Sequence, residues 1–91
     1  MKTVRLRVSG RVQGVGYRAW AIEAAKSLGL RGWVRNRSDG SVELLAIGPT
    51  ESVAAMVEAC WNGPPAARVD RVELVEAPDD DSAGFAARPD L

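Results

Sequence analysis

Thr3-Val-Arg-Leu-Arg-Val-Ser9, then Gly10-Arg-Val-Gln-Gly-Val-Gly16, then Tyr17 to Leu28: this stretch decides the fold. In its first part Val4, Leu6 and Val8 alternate with Arg5 and Arg7, the period of two of a strand with one buried and one solvated face. Gly10, Gly14 and Gly16 then break the alternation. From Tyr17 the period changes. Tyr17, Ala21, Ala24 and Leu28 fall on one stripe of an Ala-rich helix, and Gly29 stands where a left-handed residue closes such a helix. The chain therefore opens strand, glycine loop, helix.

Outward from there the remaining elements follow in short order. Leu30 to Arg37 reads as a second strand, Ser38-Asp39-Gly40 as a hairpin turn with Gly supplying positive φ, and Ser41 to Ile47 as the returning third strand. Val42 and Leu44 face oppositely to Glu43. After Gly48-Pro49, Thr50 is the expected N-cap of a second helix. Glu51 favours its first turn, and Val53, Met56, Val57, Cys60 and Trp61 recur at helical spacing. Asn62-Gly63-Pro64-Pro65 stops it. Ala67 to Glu76 alternates again, Asp79-Asp80-Asp81 reads as a solvated loop, and Phe85 to Arg88 as a short edge strand ended by Pro89. The order β-α-β-β-α-β, with one extra strand, predicts an α+β fold. It is the ferredoxin-like split β-α-β sandwich, an antiparallel four- to five-stranded sheet with two helices on one face. No linker interrupts residues 1–91, which are read as one domain.

The 91 residues are 46% hydrophobic, enough for one core and too few for two. Net charge is zero, against a protein that coats nucleic acid by bulk charge. Residues 1–37 nevertheless hold nine Lys/Arg and only Glu23 as an acid, about +8, while residues 38–91 hold three Arg and eleven acids, about −8. Either these charges interleave on one folded surface and cancel, or an anion site lies among the N-terminal basic residues. One cysteine, Cys60, allows no internal disulfide, and no leader or membrane-length apolar run is present, so the expected compartment is the cytoplasm. There is no histidine, which removes the usual neutral-pH base and the commonest metal ligand.

The glycine loop is the strongest local signal. Successive main-chain N–H groups of Gln13, Gly14, Val15, Gly16, Tyr17 and Arg18 can converge on an anion at a helix N-terminus. The plain alternative is a tight strand-to-helix turn. Gly14-Val-Gly-Tyr-Arg-Ala19 also fits a dinucleotide fingerprint, but the next strands form a hairpin instead of a parallel pair. No Gly-Lys-Ser/Thr follows for a nucleotide P-loop either. Arg18 lies in the helix's first turn, where a cation opposes the dipole unless an anion sits between it and the loop. Its fork suits two phosphate oxygens, although pairing with a surface carboxylate is the alternative. Asn36 stands at a strand end, explained either by the coming turn or by a carboxamide that orients water. Arg35 and Arg37 point the other way and are expected to be solvated. Trp20, Trp33 and Trp61 read as packing residues, Cys60 as a core residue, and the Asp79–Asp81 run lacks the ligand spacing of a calcium loop.

No His, a buried Cys and no carboxylate cluster leave a reaction that needs little acid–base help. An acyl phosphate fits, because its carboxylate leaving group, with a pKa of roughly 4, departs unprotonated. Catalysis then reduces to positioning and charge stabilisation.

Val12-Gln13-Gly14-Val15-Gly16-Tyr17-Arg18 resembles the acylphosphatase signature V-Q-G-V-x-[FY]-R. Gly32-Trp33-Val34-Arg35-Asn36 with Ser38-Asp39-Gly40 resembles its partner, G-W-V-x-N-x-x-D-G. Gly63-Pro64-Pro65-Ala66-Ala67-Arg68-Val69 is similar to the family's lead into the fourth strand. The resemblance implies the same split β-α-β fold, a monomeric enzyme without cofactor or metal, Arg18 as the phosphate-holding residue and Asn36 as the water-orienting one. It implies a small-molecule acyl phosphate substrate and inorganic phosphate as product, with no nucleic acid or membrane partner. The Asp79–Asp81 loop and the Pro89-Asp90-Leu91 tail depart from the family pattern. The alternative function is a non-catalytic ligand- or RNA-binding module on this fold, but the aromatic run that stacks bases is absent.

Overall fold

The computed structural model describes residues 1–91. Seven elements run in order: β1 (Lys2–Arg11), α1 (Tyr17–Ser27), β2 (Arg31–Asn36), β3 (Val42–Gly48), α2 (Thr50–Cys60), β4 (Arg68–Glu76) and β5 (Phe85–Ala87). The strands form one sheet in the order β4-β1-β3-β2-β5. The four long strands pair antiparallel, and only the three-residue β5 runs parallel to β2. The sheet thus reaches five strands, and its short edge is not antiparallel.

Alternation in β1 does what period two requires. Val4, Leu6 and Val8 are fully buried and pack with Leu44, Val42 and Val34 beneath Tyr17, Ala21, Ala25, Val53, Met56 and Cys60 of the helices. Across the sheet Val8 pairs with Val42 and Val42 with Asn36, so Asn36 ends a row on this helix-covered face. The opposite face has its own small cluster of Trp33, Leu45 and Ile47. Central β3 is therefore buried along all seven residues, whereas edge strand β4 has no fully buried residue and leaves Leu74 46% exposed.

Several local expectations shift. In α1 the innermost positions are Tyr17, Ala21 and Ala25, and Gly29 closes the helix with φ 69°. Thr50 is the first helical residue, not the cap. Pro49, with φ −56° and ψ 143°, takes the cap position and no side chain caps the turn. Trp61 lies beyond the last turn of α2 and is 48% exposed, so it leaves the apolar stripe that ends at Cys60. Glu43 is buried, because Arg5, Arg35 and Arg37 close over it. That makes Arg35 and Arg37 half-buried instead of solvated.

The Asp79–Asp81 loop, though exposed, is tethered. Asp79 accepts from Arg31, while Asp80 accepts from Trp33 Nε1 at 3.0 Å and from Arg88 at 3.0 Å. The Arg35 and Arg88 guanidiniums both stand over the Trp33 ring, each 4.8 Å from its centre. No helix is long and apolar enough to cross a membrane.

Candidate active site

β1 delivers the chain into a loop, residues 12–16, that ends on the first turn of α1. Gly14 and Gly16 adopt φ 74° and 80°, in the left-handed region, and nothing lies within 4 Å of where a Cβ would stand on either. Their value is thus conformational and leaves the main chain open to a ligand. None of the loop N–H groups from Gln13 to Gly16 donates to the protein main chain, and α1 begins with no side-chain cap and no acidic residue. Unpartnered donors at a helix N-terminus attract an anion.

Two side chains hold this loop in place. The Gln13 carboxamide donates from Nε2 to the Arg37 and Ser41 carbonyls, both at 2.8 Å, and so ties the loop to the β2–β3 hairpin beside Asn36. Tyr17, only 2% exposed, donates its hydroxyl to the Cys60 carbonyl at 2.7 Å, where the last carbonyls of α2 lack helical partners. Its ring meets Trp20 edge-on at 5.2 Å. Burial raises both the Tyr17 phenol and the Cys60 thiol, the latter to about 11. Neither supplies an anionic nucleophile at neutral pH.

A concavity of about 360 Å³ brings Gly14, Gly16, Arg18, Asn36 and Ala87 together. Arg18 and Asn36 thus line one cavity although they stand on different elements. The Asn36 carboxamide makes no hydrogen bond within the protein, and the Arg18 guanidinium makes one, from Nη1 to Asp90 Oδ1 at 3.1 Å. The same Asp90 oxygen accepts the Asn36 main-chain N–H at 3.3 Å, and the Asn36 carbonyl accepts from Leu91 N–H at 3.0 Å. A carboxylate therefore already rests on one corner of the Arg18 fork, leaving Nε and Nη2 free. The pair is open to water, with 43% and 53% of the two side chains exposed.

A family model described as acylphosphatase matches residues 4–87. The chain belongs to the acylphosphatase family. It is 58% identical to an acylphosphatase of Rhodospirillum rubrum over the whole of both chains. With an acylphosphatase of an Acidovorax species it shares 55% identity over 94% of this chain and 89% of the other. Among solved structures, acylphosphatase from Bacillus subtilis superposes with a TM-score of 0.93 at 39% identity, covering 97% of this chain and 99% of that one. An acylphosphatase from Coxiella burnetii superposes at 0.92 with 40% identity, covering 96% and 92%. Family membership and the split β-α-β architecture thus agree with the motif reading.

Sequence reasoning assigned Gln13 only a main-chain role and gave Asp90 none. Gln13 carried a signal, since a long amide inside a glycine loop needs a partner for its two donors. For Asp90 no local pattern points to Arg18, which lies 72 residues away.

Proposed function

We propose that this protein hydrolyses acyl phosphates to a carboxylate and inorganic phosphate. The observation that carries the reading is the meeting of Arg18, Asn36 and the unpartnered loop amides on one concavity. In this reading the N–H groups of the residue 13–18 loop and the free edge of the Arg18 fork hold the phosphoryl oxygens. They neutralise the charge that shifts onto them as the bond to the leaving oxygen stretches. The Asn36 carboxamide, free of protein partners, holds a water molecule opposite that oxygen, with its carbonyl accepting one water proton. Phosphorus passes to the water oxygen, the bonding pair of the broken P–O bond leaves with the carboxylate, and the water proton goes to bulk solvent. With a leaving group of pKa roughly 4, no general acid is required.

The reading needs no metal or cofactor, and no group of three or more His, Cys, Asp or Glu side chains is placed to hold a metal ion. We further propose a cytoplasmic monomer, a single domain over residues 1–91, with a small-molecule acyl phosphate as its partner and no nucleic-acid or membrane partner.

Benzoyl phosphate with phenyl phosphate as control tests the class. Rapid loss of the first alone is expected, and equal hydrolysis of both would overturn the leaving-group argument. Asn36→Ala is expected to lower kcat by about 100-fold or more while orthophosphate inhibition stays near that of the parent. Arg18→Ala is expected to weaken both together. Full turnover by Asn36→Ala would remove Asn36 from the mechanism.

A further inference from the structure

Phosphate chemistry uses only one end of the concavity that Arg18 and Asn36 share. That end is polar, with main-chain amides at Gly14 and Gly16, the guanidinium and the carboxamide. Elsewhere the wall is apolar, made by Ala19 and Ile22 of α1 and Ala87 of β5. Arg18 is the one charged residue lining the whole of it. At about 360 Å³ the space falls within the range of about 300–1,000 Å³ that holds a small organic molecule, so a phosphoryl group at the loop leaves room beside it.

Two periodicities bring the apolar residues together. On α1, Ile22 follows Arg18 by four residues and Ala19 by three, so the three share one flank. Ile22 stands one turn, about 5.4 Å, beyond Arg18, and helical side chains lean toward the N-terminus, which tips Ile22 back toward the phosphate loop. It is half-buried and packs on the core, so its position is fixed. On β5, Phe85 is buried in the helix-side core, and Ala87, two residues on, projects from the same face. Ala87 pairs with Val34, whose face Asn36 shares two residues later. Both alanines are exposed and carry only a methyl group. A longer side chain at either position would reach into the space they border.

We propose that Ala19, Ile22 and Ala87 form the acyl-group subsite and select uncharged, apolar acyl groups, an inference that rests on the hydrolysis proposed above and names its substrate class. Every acyl phosphate is anionic at the phosphoryl end, which the loop and Arg18 hold. What differs between substrates is the acyl part, and here it meets methyl groups and the Ile22 side chain. Each methylene buried there raises kcat/KM by up to about fourfold. A carboxylate or second phosphate on the acyl part would give up water at that end without gaining a partner, which costs affinity.

The test compares kcat/KM for 4-methylbenzoyl and 4-carboxybenzoyl phosphate, which are similar in size and differ in charge. The parent is expected to favour the methyl compound about tenfold or more. Ala87→Lys sets a cation at the apolar end and is expected to shift that ratio about tenfold toward the carboxyl compound, an effect that fades in high salt. Ala19→Lys is expected to shift it the same way, and carries the test should β5 not tolerate the change. A fold defect, or a tighter grip on phosphate, moves both substrates together and leaves the ratio alone. Equal use of the two by the parent, or a parent-like ratio in both lysine variants, overturns the proposal. Calorimetric binding of 4-methylphenacylphosphonate and 4-carboxyphenacylphosphonate, in which a methylene replaces the bridging oxygen, separates the subsite from the reaction. Selective binding without hydrolysis of any acyl phosphate would uphold the subsite and remove the hydrolytic reading. Hydrolysis without selection in either measurement would remove the subsite alone.

Discussion

Gln13→Met isolates the seam between the phosphate loop and the hairpin that carries Asn36. Methionine conserves roughly the volume of glutamine and removes both donors. The two carbonyls it abandons are not orphaned: Arg37 O still accepts from Gly40 N–H at 3.2 Å, and Ser41 O from Arg37 N–H at 2.9 Å. The loss therefore lies near the lower end for a side-chain bond to the main chain, about 0.5–1 kcal/mol each and about 1–2 kcal/mol for the pair. In a domain this small that lowers Tm by about 5–10 °C. It lowers the urea midpoint by roughly 1 M at an unchanged slope. Unfolding followed by tryptophan fluorescence reads the midpoint directly. Because the seam sets the loop against Asn36, kcat for benzoyl phosphate is expected to drop about tenfold, more than orthophosphate affinity does. A variant as stable and as active as the parent would refute the reasoning. A variant that loses stability alone would show that the seam holds the fold without aligning the site.

Two further perturbations follow from the charge pairs. Arg31 holds the Asp79 carboxyl below its ordinary value, and the Ser82 hydroxyl, with the Trp33 indole, does the same for Asp80. A depressed carboxyl stabilises the fold fully above the ordinary carboxylate range and loses that contribution as pH falls through its folded value. Tm is therefore expected to decline below about pH 4. Arg31→Gln is expected to make that decline shallower, and identical Tm–pH curves for the two proteins would sink the assignment. Asp90→Asn removes the carboxylate that shares Arg18, so orthophosphate inhibition is expected to tighten about threefold at low ionic strength and converge with the parent in high salt. Weaker inhibition would mean that Asp90 aligns the guanidinium instead of competing for it.

Charge segregation along the chain offered two explanations, and the ion pairs bear out the first. Basic residues of the first part meet acids of the second in Lys2–Glu76, Arg7–Glu73, Arg31–Asp79 and Arg18–Asp90, which cancels most of the asymmetry. The remainder gathers around Arg5 and Arg37 on the helix-free face, beside the already shared Glu43. Where the reading of Trp61, Thr50, Arg35 and Arg37 went astray, the cause was the same. Period and propensity describe an isolated element, whereas these residues sit where an element stops or where a neighbouring strand covers them.

The order of elements and the core stripe of β1 were determined by local pattern, because alternation, helical spacing and turn chemistry act over a few residues, whereas the expected pairing of the glycine loop with Arg18 and Asn36 rested on the resemblance of two motifs to a family signature. Asp90 on Arg18, the Gln13 seam, the burial of Glu43 and the parallel docking of β5 were decided by tertiary structure alone. Each joins residues distant along the chain, and which distant groups meet depends on how strands are ordered in the sheet, information no short stretch of sequence contains.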